Sequence, residues 1–483
     1  MSFYDHPRIL RASGVFQTHP ERFDEFIASQ IEDHGVKRGH RLIVLNPARG
    51  VFDGDGAGGL LHEMACEMSV PGILAALEFA SQYVGPRKIR PSWLFGSGAA
   101  RAKLDPQSAN EGSQMEVGIV QIMQSFGWDN MTDAQVYEDE TKLAVMADEL
   151  GYDHVWTVEH HFEDYSFCPD NFVYLANLAA KTKRIGLATG ACIVPWNLQP
   201  LRIAEKAALL DLLSGGRAIL GLGRGLSRRE FSQFGVSMDE SRERFDEAAP
   251  LILEALETGF FPEHHGKFIN QPKAPLRPRP EKSWRDRVTQ VAMSPDSGEQ
   301  AAKLGAQMMA FNYKAPEQQR QECADYATSF RKYHGRDPRP PLLTDISVCD
   351  SDPKRARENA EKYCAGYCLS VLHHYEMLGE HYKEAKGYKA YGDAVDAMRA
   401  MGKDGIAKSY VDLQVWGTPD QMLRKFEERW EYMGAYGVLC SFRFAGMPFE
   451  VSERSIKLFA KEVLPVLRSW TKEQGPRKAS AAA

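Results

Sequence analysis

From residue 117 to residue 467 the chain repeats one device: a short apolar run, a turn, then a longer segment whose apolar residues recur at helical spacing. The runs 117–120, 154–158, 185–189, 218–222, 288–292 and 308–311 read as strands. The segments 133–150, 172–180, 200–213, 241–256 and 297–304 between them read as helices. In the first, Val136, Leu143, Ala144, Met146, Ala147 and Leu150 share one face, and Gly151 supplies the stop. Strands alternating with helices predict parallel pairing with crossover connections. The number of units favours a closed (β/α)8 TIM barrel over an open doubly wound sheet.

The last unit is well marked. Gly417-Thr418-Pro419-Asp420 offers a turn, an N-cap hydroxyl and a proline at the first helical position. A helix over 421–433, a strand over 437–442 and a closing helix over 451–467 follow. Residues 351–408 read as a mostly helical, polar insertion near the C-terminal region, with 386–408 expected to be mobile at the barrel mouth. The small polar stretch 101–114 reads as a linker. The expected organisation is therefore an N-terminal α/β extension over 1–114, a barrel over 115–473, and a disordered tail over 474–483. In the extension, 42–45 and 92–95 read as strands and 70–83 as a helix, faintly resembling a degenerate flavodoxin-like domain.

With 483 residues, 43 % of them hydrophobic and 26 % charged, the chain can bury a barrel core, and it reads as globular. A net charge of −6 gives no overall attraction to nucleic acid. No apolar run approaches the roughly 20 residues a membrane helix needs, and none near the start fits a secretory signal. Eight scattered cysteines fit reduced thiols in a cytoplasmic protein.

Three segments fall at strand ends, where a barrel carries its chemistry. Glu159-His160-His161-Phe162 follows 154–158, and a carboxylate with two imidazoles there needs a wet cavity, a ligand or internal hydrogen bonds. Gly223-Arg224-Gly225-Leu226 follows 218–222; glycines permit close backbone approach, and an arginine fork suits phosphate. Arg242 lies at the start of the next helix, where an anion gains from the exposed amides. Ser294 and Ser297 begin the helix after 288–292 and could cap it, hold phosphate, or do both.

Taken together, WTVEHHF (156–162), ATGACIVP (188–195), LLDLLSGGRAILGLGRGL (209–226), FGVSMDESR (234–242) and WGTPDQM (416–422) resemble the luciferase-like flavin-dependent monooxygenases of the bacterial luciferase alpha subunit type. The resemblance implies a cofactor, reduced FMN (FMNH2), delivered by a separate flavin reductase. It implies reaction with O2 through a C4a-hydroperoxyflavin to oxidise a small apolar aldehyde, terpene or ketone. It places the catalytic histidine at His160. It places cofactor contacts at Glu159, Gly190, Ala191, Arg224, Leu226, Arg242, Ser294 and Ser297, with a non-proline cis peptide at Gly190-Ala191 beneath the flavin ring. A dimer is expected, with no metal. The same barrel also serves oxidoreductases of the deazaflavin F420, and a non-catalytic flavin-binding subunit is the other alternative.

Two positions depart from the luciferase pattern. Gly223 stands where luciferase has a reactive cysteine, and Met293 stands where it has a phosphate-binding glutamate. Both argue against light emission. Other signals carry less. His62 to Cys66 lacks the second histidine of a zinc-protease helix, and Gly54 to Gly59 lacks the lysine of a phosphate loop. Cys364, Cys368, His373 and His374 match no standard zinc spacing and read as scattered core or surface residues. Trp196 and Phe167 read as pocket or core.

Overall fold

The structure, a computed structural model, describes residues 114–476 and, nearer the N-terminus, the strands Ile9–Arg11, Leu42–Asn46 and Gly50–Gly54. The chain divides into two compact units, 1–104 and 105–483. In the first, Leu42–Asn46 pairs in parallel with Ile9–Arg11 and antiparallel with Gly50–Gly54. The helix expected over 70–83, the strand over 92–95, the segment 62–66 and the linker 101–113 lie outside the described residues.

In the second unit eight strands form one closed ring. They are β1 (Val117–Gln121), β2 (His154–Thr157), β3 (Gly186–Thr189), β4 (Ala218–Gly223), β5 (Val288–Val291), β6 (Gln307–Phe311), β7 (Leu342–Ile346) and β8 (Gly437–Ser441). Each pairs in parallel with the next, and Val438 of β8 pairs with Val117 of β1 to close the barrel. Alternation along the strands sorts their side chains. Val155, Leu187, Val438 and Cys440 join the layer shared with the helices, whereas Trp156, Ala188 and Leu439 join a separate inner cluster with Val120, Met309 and Leu342.

The outer helices are α1 (Asp133–Leu150), α2 (Asn171–Lys181), α3 (Arg202–Ser214), α4 (Ser241–Thr258), α5 (Pro295–Leu304), α6 (Pro316–His334), α7 (Pro419–Met433) and α8 (Phe449–Glu462). Their ends follow local chemistry. Thr132 and Gln135 form a capping box on α1, and Gly151 ends it in the left-handed region. Thr418 and Gln421 do the same for α7, with Pro419 in its first turn. Strand β7 and helix α6 go beyond the elements expected from the sequence, because the polar surface of α6 hides its period.

A helical excursion separates β7 from α7, so it rises from the same rim as the strand C-termini. It contains Pro353–Asn359, Ala360–Cys364, Ala365–His374, His381–Glu384 and Lys389–Leu413. The stretch expected to be mobile, 386–408, is largely a helix, interrupted at Gly402 where φ is 71°. At the C-terminus, Gln474 and Gly475 return backbone hydrogen bonds to Thr471, and 477–483 lie outside the described residues.

The seven cysteines among the described residues are buried and free. No helix among the described residues is long and apolar enough to cross a membrane.

Candidate active site

His160 follows β2, Arg224 follows β4, Arg242 lies in the first turn of α4, and Ser294 follows β5, so all four stand at the C-terminal rim. Two clusters form there.

The first surrounds His160. Glu230, on a short helix (Arg228–Gln233) directly after the Arg224 segment, points Oε1 at the Nδ1 of His160, 3.1 Å away, and accepts the His161 backbone N–H at 2.8 Å. The other ring nitrogen, Nε2, lies 3.1 Å from the Tyr375 hydroxyl. Burial pushes the Glu230 carboxyl up, but attraction and hydrogen bonds from His160 and His374 outweigh it and bring it down to about 2. Burial pulls the His160 imidazole below its ordinary value, against the upward pull of Glu230. The stable arrangement at neutral pH is a carboxylate beside a neutral imidazole. It holds Nδ1–H on the Glu230 side and leaves Nε2 as the basic nitrogen.

A second imidazole completes this cluster. His374, on Ala365–His374 of the insertion, has no exposed side-chain surface. Its Nδ1 lies 2.8 Å from Oε2 of Glu163, which also pairs with Arg229. Its Nε2 faces Oε2 of Glu230 at 3.7 Å. Nitrogen and oxygen atoms of His160, Glu230 and His374 lie within 4.8 Å of one another. The sequence spacing groups His374 with Cys364, Cys368 and His373 as scattered residues. Cys364 and Cys368 are indeed buried, but the fold brings His374 to His160.

The second cluster surrounds the arginines. The Arg224 guanidinium stacks on the Tyr388 ring at 3.9 Å, and the Tyr388 hydroxyl reaches Gly225 O and Ser241 Oγ. Arg242 reaches the backbone carbonyl of Asp296, in the first turn of α5, at 3.5 Å. Burial and the charge of Arg224 both lower the affinity of Arg242 for its proton, while Asp246 and Asp296 oppose them. Nη1 of Arg224 and Nη2 of Arg242 are buried without a hydrogen-bond partner. Desolvated donors of this kind are costly unless an anion meets them. A phosphate group fits both forks and the adjoining α5 N-terminus.

The remaining expected contacts are already engaged within the protein. Ser294 and Ser297 form a reciprocal capping box on α5. Glu159 accepts Trp196 Nε1 at 2.8 Å and Ile193 N at 3.1 Å, so it braces the segment after β3. The Gly190–Ala191 peptide in that segment is cis. Leu226 O accepts the Tyr382 hydroxyl at 3.4 Å. Trp196 is buried against Phe231 and Phe234. Gly223 is fixed by close approach: a Cβ there would lie 2.5 Å from Ile193 Cδ1 and 3.1 Å from Ala191 Cβ. A side chain there would require the Ile193 side chain to turn away and Ala191 to give by a few tenths of an ångström. Met293 offers its backbone carbonyl to Tyr313 and Lys314.

Residues of the site that sequence reasoning misses are Glu163, Glu230, His374, Tyr375 and Tyr388. Glu230 lies only six positions after Arg224, a weak signal in a charged segment. The others come from a long excursion or an irregular loop, where periodicity carries no information.

The family model for luciferase-like monooxygenases matches residues 115–437. The oxygenase component of flavin-dependent trigonelline monooxygenase from Acinetobacter baylyi is 32 % identical over 180 residues, 37 % of this chain and 49 % of that protein. The alkanal monooxygenase alpha chain of Photorhabdus luminescens is 25 % identical over 348 residues, 69 % of this chain and 93 % of that protein. Among solved structures, a monooxygenase from Streptomyces bottropensis superposes with a TM-score of 0.57 at 29 % identity, covering 73 % of this chain and 99 % of that one.

Proposed function

The chain belongs to the luciferase-like monooxygenase family, and from that premise we propose that it is the FMNH2-dependent oxygenase of a two-component system. In this reading it uses O2 to oxidise a small apolar substrate such as an aldehyde, a terpene or a ketone. The observation that carries the reading is the pair of buried, unpartnered guanidinium nitrogens on Arg224 and Arg242, on the same rim as the His160–Glu230 pair. Arg224, Arg242 and the N-terminus of α5 would hold the phosphate. The Gly190–Ala191 segment, braced by Glu159, would lie beneath the ring system, with the Leu226 backbone beside it.

Bound reduced flavin would supply the electrons that activate O2. The protein supplies position, water exclusion and a base. His160, held in one tautomer by Glu230, keeps Nε2 free to take a proton and return it. Tyr375, Tyr165 and His374 crowd the same imidazole and limit water around it.

A separate reductase follows from the reading as an oxygenase component, the description carried by the Acinetobacter relative. A second copy of the chain would cover Val173 of α2 and Leu209, Leu212 and Leu213 of α3, large apolar side chains left exposed.

Product profiling with aldehydes, terpenes and ketones tests the reading, with FMNH2 from a flavin reductase in one arm and F420H2 in the other. Oxygenated product only with FMNH2 supports it. Turnover only with F420H2 would make the chain a deazaflavin oxidoreductase. Flavin binding without any product would make it a binding subunit.

A further inference from the structure

Both nitrogens of His160 have a partner, and the chemistry of those partners orders the hydrogens. Glu230 is a carboxylate at neutral pH and can only accept, so the 3.1 Å contact places a hydrogen on Nδ1. A neutral ring then has a lone pair on Nε2, and the Tyr375 hydroxyl 3.1 Å away is its donor. The opposite order, Nε2–H into the phenol oxygen, would set the Nδ1 lone pair against a buried carboxylate. Hydroxyl, imidazole and carboxylate therefore follow one another in the order that moves a proton in a serine hydrolase triad. The imidazole is only 12 % exposed, so the phenol occupies the approach to Nε2.

The turn that carries Tyr375 is fastened to the segment after β4. Tyr375 follows the helix Ala365–His374, and Glu376 behind it has φ at 49°. The Tyr382 hydroxyl donates to Tyr375 O at 2.6 Å and reaches Leu226 O at 3.4 Å. Arg228 grips Glu376 through two contacts, at 3.0 and 2.7 Å. The Tyr375 ring packs on the inner barrel cluster that contains Trp156, and also on the insertion cluster that Leu226 joins. It stands between His160 and the backbone placed beside the cofactor.

We propose that Tyr375 is the relay through which His160 exchanges protons with bound reactants, in a Tyr375–His160–Glu230 triad that the insertion completes. This rests on the reading of His160 as the base. A reactant O–H or N–H gives its proton to the Tyr375 oxygen as the Tyr375 proton passes to Nε2. The tyrosine O–H bond that breaks is replaced by the one that forms, the reactant keeps the electron pair, and the positive charge gained by His160 faces Glu230. The reverse step returns the proton. Burial, with the charge of Glu230, raises the phenol well above its ordinary value, so the two transfers go together without a phenolate. The titratable groups around the phenol are Glu230 from the short helix, His160 and Tyr165 from the loop after β2, and Tyr367, His374 and Tyr382 from the insertion.

Two readouts test the relay in the full-length protein. The first is flavin-free: NMR of 15N-histidine protein near pH 8, with His160 assigned by its loss in His160→Asn. His160 is expected to carry its proton on Nδ1, and in Tyr375→Phe the Nε2 resonance alone is expected to move. The second is single-turnover return of oxidised FMN after protein with FMNH2 meets O2, followed across mixtures of light and heavy water. Tyr375→Phe is expected to slow it by about 10²-fold, the lower end for a positioned acid–base group, with FMN affinity within about twofold of the parent's. The parent's rate is expected to fall along a curve with heavy-water content, as two protons in flight require, and the variant's along a straight line. A merely structural role would not change that shape. Protein with 3-fluorotyrosine installed at position 375 keeps the relay and is expected to keep the curve; it decides if Tyr375→Phe fails to fold. A proton on Nε2 in the parent overturns the proposal, and so does a parent-like rate in Tyr375→Phe or a straight line for the parent. A slow His160→Asn beside a parent-like Tyr375→Phe sinks the relay alone, whereas parent-like rates in both, or no FMN binding, sink the reading of His160 with it.

Discussion

Oε1 of Glu230 lies 3.1 Å from Nδ1 of His160 and accepts the neighbouring His161 amide at 2.8 Å, so one carboxylate oxygen fixes both the ring and the backbone that carries it. This bond selects the tautomer in which Nε2 of His160 is the basic nitrogen. Glutamine at 230 can donate as well as accept, so the selection is lost. Glu230→Gln is expected to lower turnover by about 10²–10⁴-fold, the range for general acid–base groups, with FMN affinity close to the parent's. Steady-state rates beside a flavin titration check this. Unchanged rates would remove Glu230 from the active site.

The acid side of stability carries a second signature. Glu230 has a folded-state value near 2 against an ordinary 4.5. A lowered carboxyl stabilises the fold above the unfolded value, and that contribution is lost as pH falls from about 4.5 through about 2. Chemical denaturation of the parent is expected to weaken across this window, and Glu230→Gln is expected to flatten that part of the curve. An identical pH dependence in both proteins would contradict the assignment.

Gly387 packs against the guanidinium of the proposed phosphate site with φ at 82°, and a Cβ there would meet Arg224 Nη1 at 2.8 Å. Gly387→Ala is expected to displace the guanidinium and weaken FMN binding by about 1 kcal/mol or more, as for a charged hydrogen bond held off its geometry. Fluorescence titration checks it. Tyr388→Leu, which removes the stacking face, is expected to weaken binding in the same direction.

Outside the two clusters of the site, Arg429 of α7 donates to both carboxylate oxygens of Asp345 in β7, at 2.6 and 2.9 Å, with the carboxylate wholly buried. Arg429→Ala strands that charge. It is expected to cost about 3–5 kcal/mol of stability, read as a lower midpoint in urea. A loss below about 1 kcal/mol would mean that water reaches Asp345.

Leu212 and Leu213 are exposed on α3. If a second copy covers them, Leu212→Asp with Leu213→Asp is expected to convert a dimer to a monomer in analytical ultracentrifugation. A parent protein that sediments as a monomer at micromolar concentration would contradict the dimer.

The barrel is legible in the sequence because its units announce themselves locally. Thr418 with Pro419 and Gly151 mark helix ends, and six apolar runs match strands to within a residue or two. The insertion is not legible in the same way. Gly402 breaks its long helix, and its polar composition reads as mobile although 389–413 is helical apart from that kink. The site divides along the same line. His160, Arg224 and Arg242 follow strands or open helices, where chemistry is expected, while His374 and Tyr388 reach the site only through tertiary folding of that excursion. The sequence allows Ser294 and Ser297 two roles, and the capping role is the one visible in their hydrogen bonds.

The most direct measurement is equilibrium FMN binding, by flavin fluorescence, to the parent, to His160→Ala and to the double variant Arg224→Ala with Arg242→Ala. Parent-like affinity is expected for His160→Ala. The double variant is expected to bind more weakly by about 3–6 kcal/mol, twice the loss of one charged hydrogen bond. Undiminished binding by the double variant would contradict the account, because the phosphate would then lie elsewhere.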